Sequence, residues 1–262
     1  MRLTKHHGLG NDFLVLLESD VTTPVTPALA RAVCDRHRGV GADGLLHVGP
    51  SATADVAMVL YNADGGRAEM SGNGISCLAQ AVVVAGIVPA GVVTVSTDAG
   101  LRRVELVAGE AGEHLATVDM GPAKVGEDEV EWLGDDVMRA ARVDVGNPHL
   151  VLHAPMLDRD FDFVARGASI NELVPEGINV ELVAPGPMDG ELTMRVYERG
   201  VGLTEACGTG ACAVAAAAHQ WGLCDTRVTI RQPGGPAVIE LADSITMTVP
   251  VVHVATIEYH AA

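Results

Sequence analysis

Aromatic residues make up only 3% of this chain, and basic ones are almost as scarce: 17 Lys and Arg stand against 34 Asp and Glu, a formal net charge of −17. Nucleic acid and anionic membrane both require a basic face, so the imbalance excludes them as partners, and its simplest consequence is solubility. No apolar run reaches the roughly 20 residues a membrane-spanning helix needs. The longest, around Leu78 to Val88, reads as a buried helix. The first residues, Met1-Arg-Leu-Thr-Lys-His-His-Gly8, lack the apolar core of a signal peptide. Five cysteines are an odd number, and Cys207 and Cys212, the one pair near metal-ligand spacing, have no partners to complete a site. Ten histidines and nine methionines show no ligand spacing either, so no metal is expected. A reduced, cytoplasmic protein follows.

What the chain does have is a repeat. Tyr61-Asn-Ala-Asp-Gly-Gly-Arg-Ala-Glu-Met-Ser71-Gly-Asn-Gly74 aligns without a gap on Tyr197-Glu-Arg-Gly-Val-Gly-Leu-Thr-Glu-Ala-Cys207-Gly-Thr-Gly210, an offset of 136 residues. At the same offset Gly10-Asn11 falls on Gly146-Asn147, Leu14-Val-Leu16 on Leu150-Val-Leu152, and Gly41-Ala-Asp43 on Gly177-Ile-Asn179. A duplication this long predicts two lobes, residues 1–120 and 121–262, related by a pseudo-twofold with a ligand cleft between them. The linker is expected near Gly121 to Gly126, and the last strand is free to pack on the N-terminal lobe.

Apolar segments bounded by Gly, Asp and Pro read as strands at Asp12–Leu17, Leu45–Val48, Val56–Tyr61, Val92–Ser96, Arg102–Val107 and Leu115–Met120. In the second half they recur at Val143–Val145, His149–His153, Val180–Leu182, Leu192–Tyr197, Arg227–Arg231, Ala237–Leu241 and Ile245–Val249. A helix is expected over Pro27–His37, with Thr26 as its cap. Two more, Gly74–Ala85 and Gly210–Trp221, are apolar on nearly every face, which places each at the centre of its lobe. The fold class is therefore α+β, each lobe a curved, mainly antiparallel sheet around a central helix. Gly39-Val-Gly-Ala-Asp-Gly44 spells a dinucleotide fingerprint, but it leads from a helix into a strand, the reverse of the required context, and reads as a turn.

The chemistry lies in the repeated loops. A glycine-rich turn opening a helix leaves backbone N–H groups and the positive end of the helix dipole free to hold an anion. Two such termini, Gly72-Asn73-Gly74 and Gly208-Thr209-Gly210, suit one carboxylate, and donors aimed there stabilise the enediolate formed when an α-proton is removed. The residue before each terminus, Ser71 or Cys207, sits in the same field, which is expected to depress a thiol's pKa toward neutrality. Cys207 is thus a candidate acid or base, whereas Cys34, Cys77, Cys212 and Cys224 read as packing residues.

With these motifs laid out, the sequence resembles the diaminopimelate epimerase family over nearly its whole length. The resemblance rests on Gly8-Leu-Gly-Asn-Asp-Phe13, Gly39-Val-Gly-Ala-Asp-Gly44, Tyr61-Asn-Ala-Asp-Gly65, Gly72-Asn-Gly74, Val145-Gly-Asn-Pro-His149, Gly177-Ile-Asn-Val180, Glu198-Arg-Gly-Val-Gly202 and Ala206-Cys-Gly-Thr-Gly210. It implies inversion of one α-carbon of LL- or meso-diaminopimelate without pyridoxal phosphate, metal or other cofactor, in a homodimer of lysine biosynthesis. By the same resemblance Asn11, Asn62, Asn147, Asn179, Glu198 and Arg199 bind substrate, and Gly72, Asn73, Gly208 and Thr209 hold the reacting carboxylate. A distal zwitterion does need an arginine for its carboxylate and carboxylate or amide oxygens for its ammonium.

The chain also departs from the family. Ser71 stands where the family has a cysteine, Ser76 where an arginine is usual, Leu203 within a typical Gly-Glu-Thr, and Glu205 at a normally apolar position. A serine hydroxyl is too weak an acid to ionise near neutrality, so Ser71 is a poor base. Three readings of Ser71 follow: a substitution made to trap a complex, a natural turn to one-base chemistry, or a slow relay through water. The further changes favour a natural, diverged protein. Beside an impaired epimerase stand two alternatives, a one-base lyase or epimerase of a related β-substituted amino acid and a non-catalytic amino-acid-binding homologue.

Overall fold

The computed structural model describes residues 1–109, 113–128, 137–154, 162–174 and 176–260. They divide into two compact units, Met1–Asp119 with Thr248–Ala262, and Met120–Met247. No described helix is long and apolar enough to cross a membrane.

The first unit contains β1 (Arg2–Gly8), β2 (Asn11–Leu17), α1 (Pro27–Cys34), β3 (Gly44–Gly49), β4 (Val56–Asn62), β5 (Arg67–Ala68), α2 (Gly72–Val84), β6 (Val92–Thr97), β7 (Gly100–Ala108) and β8 (His114–Gly121). The second contains β9 (Lys124–Asp128), β10 (Arg139–Asp144), β11 (Pro148–His153), α3 (Phe163–Leu173), β12 (Asn179–Pro185), β13 (Glu191–Glu198), β14 (Gly202–Thr204), α4 (Gly208–Gln220), β15 (Arg227–Gln232) and β16 (Gly235–Glu240). The final strand, β17 (Ile245–Glu258), pairs antiparallel with β1 and also with β8. In the first unit the pairings run β1, β2, β3, β4, β6, β7, β8, β17 and back to β1, a closed ring that leaves no edge.

Both units use the same connections. The β2–β3 and β4–β6 pairs are parallel and their counterparts β11–β12 and β13–β15 are parallel too, while β1–β2 and β10–β11, β3–β4 and β12–β13, and β6–β7 and β15–β16 are antiparallel. The helices α2 and α4 begin and end 136 residues apart, as the repeat requires. The third strand does not keep that offset. Tyr61 pairs with Leu45 whereas Tyr197 pairs with Val180, so the second copy is one residue shorter after its Gly177 turn and Glu181 takes the place of Leu46. Aligning Asp43 with Asn179 across the repeat is therefore off by one in space.

Small side chains explain why α2 and α4 can be central. In α2 every residue from Gly72 to Val82 is buried, and in α4 all but Thr209 from Gly208 to Ala218 are. An Ala-, Gly- and Val-rich helix has a thin cross-section, so strands can approach it from all sides. Burying each large residue of its wall, such as Leu78 or Ile75, contributes about 1.5–3 kcal/mol.

The local expectations hold for most strands within a residue or two; β10, β12 and β17 run further than expected, and the other differences have local causes. The first helix stops at Cys34 rather than His37, because Asp35 leaves helical geometry and its carboxylate accepts from the N–H groups of His37 and Arg38. The polar N-terminus, with no apolar pattern to reveal it, is strand β1, held by main-chain pairing on both sides. The expected linker near Gly121–Gly126 contains the end of β8 and most of β9, so the chain leaves one unit and enters the next in strand.

Helix α3 carried no sequence signal and is fixed by packing of Phe163 and Ile170 against Leu150, Leu152, Val180 and Leu182. Gly167 lets it approach β13, for a Cβ there would lie 2.6 Å from the Tyr197 ring. Gly167→Ala gains about 1 kcal/mol of helix propensity but forces that contact apart, at about 1–3 kcal/mol. The variant is expected to be net destabilised, seen as a lower urea midpoint; an unchanged or higher midpoint contradicts this packing.

Candidate active site

The second unit brings Cys207, Gly208, Thr209 and Asn147 together at the start of α4. Cys207 is the N-cap, its backbone extended and its sulfur accepting from the Gly210 N–H at 3.3 Å. Its own N–H donates to Gln232 Oε1 at 2.7 Å, which ties the cap to β15. Gly208 and Thr209 occupy the first helical positions, where N–H groups have no carbonyl within the helix to receive them. Thr209 Oγ1 lies 3.5 Å from Cys207 Sγ and 3.4 Å from Asn147 Nδ2.

Asn147 continues this chain of contacts. Its Oδ1 is 2.9 Å from His149 Nε2, and His149 Nδ1 is 2.7 Å from Glu181 Oε1, with both His149 and Glu181 fully buried. Asn179 stands at the start of the neighbouring strand, where its Oδ1 accepts from the Arg199 N–H at 2.9 Å and its Nδ2 donates to the Pro148 carbonyl. Arg199 Nη1 donates to the Glu176 carbonyl, and Glu198 Oε1 accepts the Thr204 hydroxyl at 2.5 Å.

The first unit repeats the cap with different chemistry. Ser71 caps α2, and its hydroxyl oxygen accepts from the Gly74 N–H at 3.1 Å. Gly72 and Asn73 open the helix, and Asn73 Nδ2 donates to Asn11 Oδ1 at 3.3 Å, while Asn11 Nδ2 donates to Asp43 Oδ2 at 2.8 Å. Asn62 is exposed at the end of β4 and meets Gly66 through its main chain; among the described residues its side chain bonds to none of the others.

Electrostatics correct one expectation. The helix terminus does favour the thiolate of Cys207, through the Gly210 N–H and the Thr209 hydroxyl, yet its pKa lies well above the ordinary thiol value. Burial is the largest cause, and the negative charges of Glu198 and Glu181 add to it. Cys207 therefore rests as a neutral thiol. Burial likewise pushes Cys34 and Cys212 up to about 12 and Cys224 to about 11, as befits packing residues.

Three groups of residues were not anticipated. His149 follows Gly146-Asn147-Pro148, and the motif by itself implies no role for it. Glu181 interrupts the apolar run of β12, and a lone acid in a buried strand was the available signal. In the first unit Asp12 carries an ion cluster: its carboxylate lies 2.8 Å from Lys5 Nζ and 2.7 Å from Arg36 Nη2, which also reaches Asp43. Burial pushes the Asp12 pKa up, but Arg36 and Lys5 outweigh it and hold the carboxylate below its ordinary range. Of the positions that depart from the family pattern, Ser76 is fully buried and donates to the Gly72 carbonyl, and Leu203 and Glu205 are exposed. Among the described residues no group of three or more His, Cys, Asp and Glu is placed to hold a metal ion.

The family model described as diaminopimelate epimerase matches residues 3–126 and 141–254. The chain is 41% identical to the diaminopimelate epimerase of Sphingopyxis alaskensis over 252 residues, covering 92% of this chain and 90% of that one. It is also 41% identical to the diaminopimelate epimerase of Desulforudis audaxviator over 259 residues, covering 93% and 92%. Among solved structures it is similar to a probable proline racemase from Agrobacterium radiobacter, with a TM-score of 0.79 at 18% identity, over 100% of this chain and 93% of that one. A hydroxyproline epimerase from Agrobacterium vitis gives a TM-score of 0.75, also at 18% identity, over 98% and 91%.

The raised Cys207 pKa has a direct consequence for reactivity. Iodoacetamide labelling of Cys207, followed by peptide mass spectrometry, is expected to be slow at pH 7 and to climb through pH 9. Glu198→Gln removes a negative neighbour and is expected to quicken labelling at pH 8. Fast labelling at pH 7, or a slower variant, contradicts the assigned cause.

Proposed function

The chain belongs to the diaminopimelate epimerase family, and from that premise we propose that it inverts one α-carbon of LL- or meso-diaminopimelate by proton transfer, using amino-acid side chains alone. The observation that carries this reading is the repeated cap: a helix start whose N-cap side chain is Cys207 in one repeat and Ser71 in the other, each accepting from an N–H three residues on.

Deprotonating an α-carbon moves charge onto the adjoining carboxylate. Donors fixed in advance of that charge lower the barrier most, because they need no reorganisation when it forms. In the second unit the Gly208 and Thr209 N–H groups are such donors, with Cys207 beside them as the proton-transferring group. In the first unit Gly72 and Asn73 offer the same donors beside Ser71. Asn147, Asn179, Glu198 and Arg199 supply amide, carboxylate and guanidinium groups suited to the zwitterion at the centre that does not react, and Asn11 and Asn62 add amide contacts.

Cys207 resting as a thiol makes it a ready acid, able to return a proton to the carbon. To act as a base it must first ionise, and a bound ammonium beside Glu198 would offset the acid's charge and bring the thiol pKa down. Ser71 is the weaker partner. Its hydroxyl can relay a proton but does not ionise near neutrality, so turnover in the direction that needs a base at position 71 is expected to be slow.

In D2O, wild-type protein is expected to place deuterium at the α-carbon of diaminopimelate. Cys207→Ala should slow exchange by about 10²–10⁴-fold, the contribution of a positioned acid or base, and Ser71→Cys should quicken it within the same range. Absence of exchange from both stereoisomers, with Ser71→Cys also silent, would overturn the assignment. A keto or unsaturated product from a 3-substituted amino acid would instead favour one-base elimination, the reading that Ser71 itself suggests.

A further inference from the structure

Glu181 has no part in the function proposed above, yet it is fully buried on β12, with Oε1 2.7 Å from Nδ1 of the equally buried His149. A buried charge is stable only when paired and hydrogen-bonded. A carboxylate and an imidazole meet that condition by holding one proton between them, with no net charge. If the proton is on the ring, both ring nitrogens carry hydrogen; if it is on the carboxyl it donates to Nδ1, and the ring's own hydrogen is on Nε2. In either case an Nε2–H faces Asn147, whose Oδ1 lies 2.9 Å away.

That hydrogen decides the rest of the chain. With Oδ1 engaged, Asn147 turns its Nδ2 to Thr209 Oγ1 at 3.4 Å, which leaves the Thr209 hydroxyl hydrogen for Cys207 Sγ at 3.5 Å. Were Nε2 bare, the amide would face the other way, since only its NH2 can satisfy a lone pair. Thr209 would then donate to Oδ1, and the sulfur would keep only the Gly210 N–H as a donor. We propose that Glu181 is a positioning residue: the proton it shares with His149 sets the direction of the Asn147 amide and so turns the Thr209 hydroxyl toward Cys207.

The first unit shows that the fold does not need this pair. The corresponding residues there are Phe13 and Leu46, both buried. A Cβ built on Gly74 would lie 3.4 Å from Phe13 Cζ, whereas one built on Gly210 would lie 2.7 Å from Glu181 Oε1. Carboxylate and helix start are thus in close approach only in the unit that carries Cys207. Well-packed apolar residues of similar volume commonly match or exceed a buried ion pair in stability, so a role other than stability accounts for its presence.

The proposal rests on Cys207 as the proton-transferring group, and its test has one readout that needs no substrate. The double variant His149→Phe with Glu181→Leu copies the first unit. The other ionisable group acting on Cys207, Glu198 from β13, stays unchanged in every variant. The double variant is expected to keep or raise the urea midpoint, while iodoacetamide labelling of Cys207 at pH 8 and kcat for α-proton exchange each fall by about 10–100-fold, as when a partner orienting a reacting group is lost. Glu181→Gln should restore most of both, because its amide can donate to Nδ1 as a protonated carboxyl does.

Wild-type labelling and kcat in the double variant would overturn the proposal, as would a Glu181→Gln protein as impaired as Glu181→Leu. If the double variant does not fold, Glu181→Leu alone is read by kcat, which should fall in the same range; its labelling is not compared, because losing the Glu181 charge by itself favours the thiolate. Loss of labelling together with no exchange by the wild-type protein would leave this inference standing and defeat the proposed function.

Discussion

A helix start buried in protein must find partners for N–H groups that the helix itself cannot satisfy. That one requirement organises both units of this chain. Each surrounds a helix of small residues with strands, and each closes the helix start with an N-cap side chain at Ser71 or Cys207. The cap meets the requirement only in part. The first-turn N–H groups beside it have no carbonyl within the helix to receive them, and the proposed anion site rests on that feature.

The two units share this frame and differ in what surrounds the cap. In the first, Phe13 packs near Ser71 and the charged residues gather at Asp12, Lys5, Arg36 and Asp43. In the second, an acid and an imidazole lie inside the unit, joined to Cys207 through Asn147 and Thr209. One copy thus sets a partly exposed hydroxyl near an aromatic ring, and the other sets a buried thiol within a polar network. The Cys207 thiol stands between opposing influences: burial and two acids favour the neutral form, and the helix start and Thr209 favour the charged one. The first set prevails, and a neutral thiol resists oxidation and alkylation because the thiolate is the reactive form.

Much of the architecture was legible because it rests on local pattern. Alternating apolar segments marked most strands, and the all-apolar helices announced their central position. The repeat pointed to two similar halves and singled out Ser71 and Cys207 as candidate residues. The parts that stayed hidden have no local pattern. Strand β1 is polar and is held by main-chain bonds to β2 and β17, and α3 is fixed by packing with β11, β12 and β13. The one-residue slip before β12 was invisible because Gly41 and Gly177 still align, and only the pairing of Tyr61 and Tyr197 reveals it.

By itself, the sequence determined which residues could transfer a proton and which helix starts could hold an anion, since both follow from residue type and from glycines at the opening of a helix. It did not determine the state of Cys207. A helix terminus read alone predicts a lowered thiol pKa, whereas in the folded chain the shift is upward, because desolvation and the charges of Glu198 and Glu181 depend on what the fold packs around the sulfur. The partnership of Glu181 with His149 was likewise decided by tertiary structure, for the two lie 32 residues apart and meet only because β11 and β12 run side by side. Composition and spacing name the candidate groups; their ionisation depends on distances that exist only after the chain has folded.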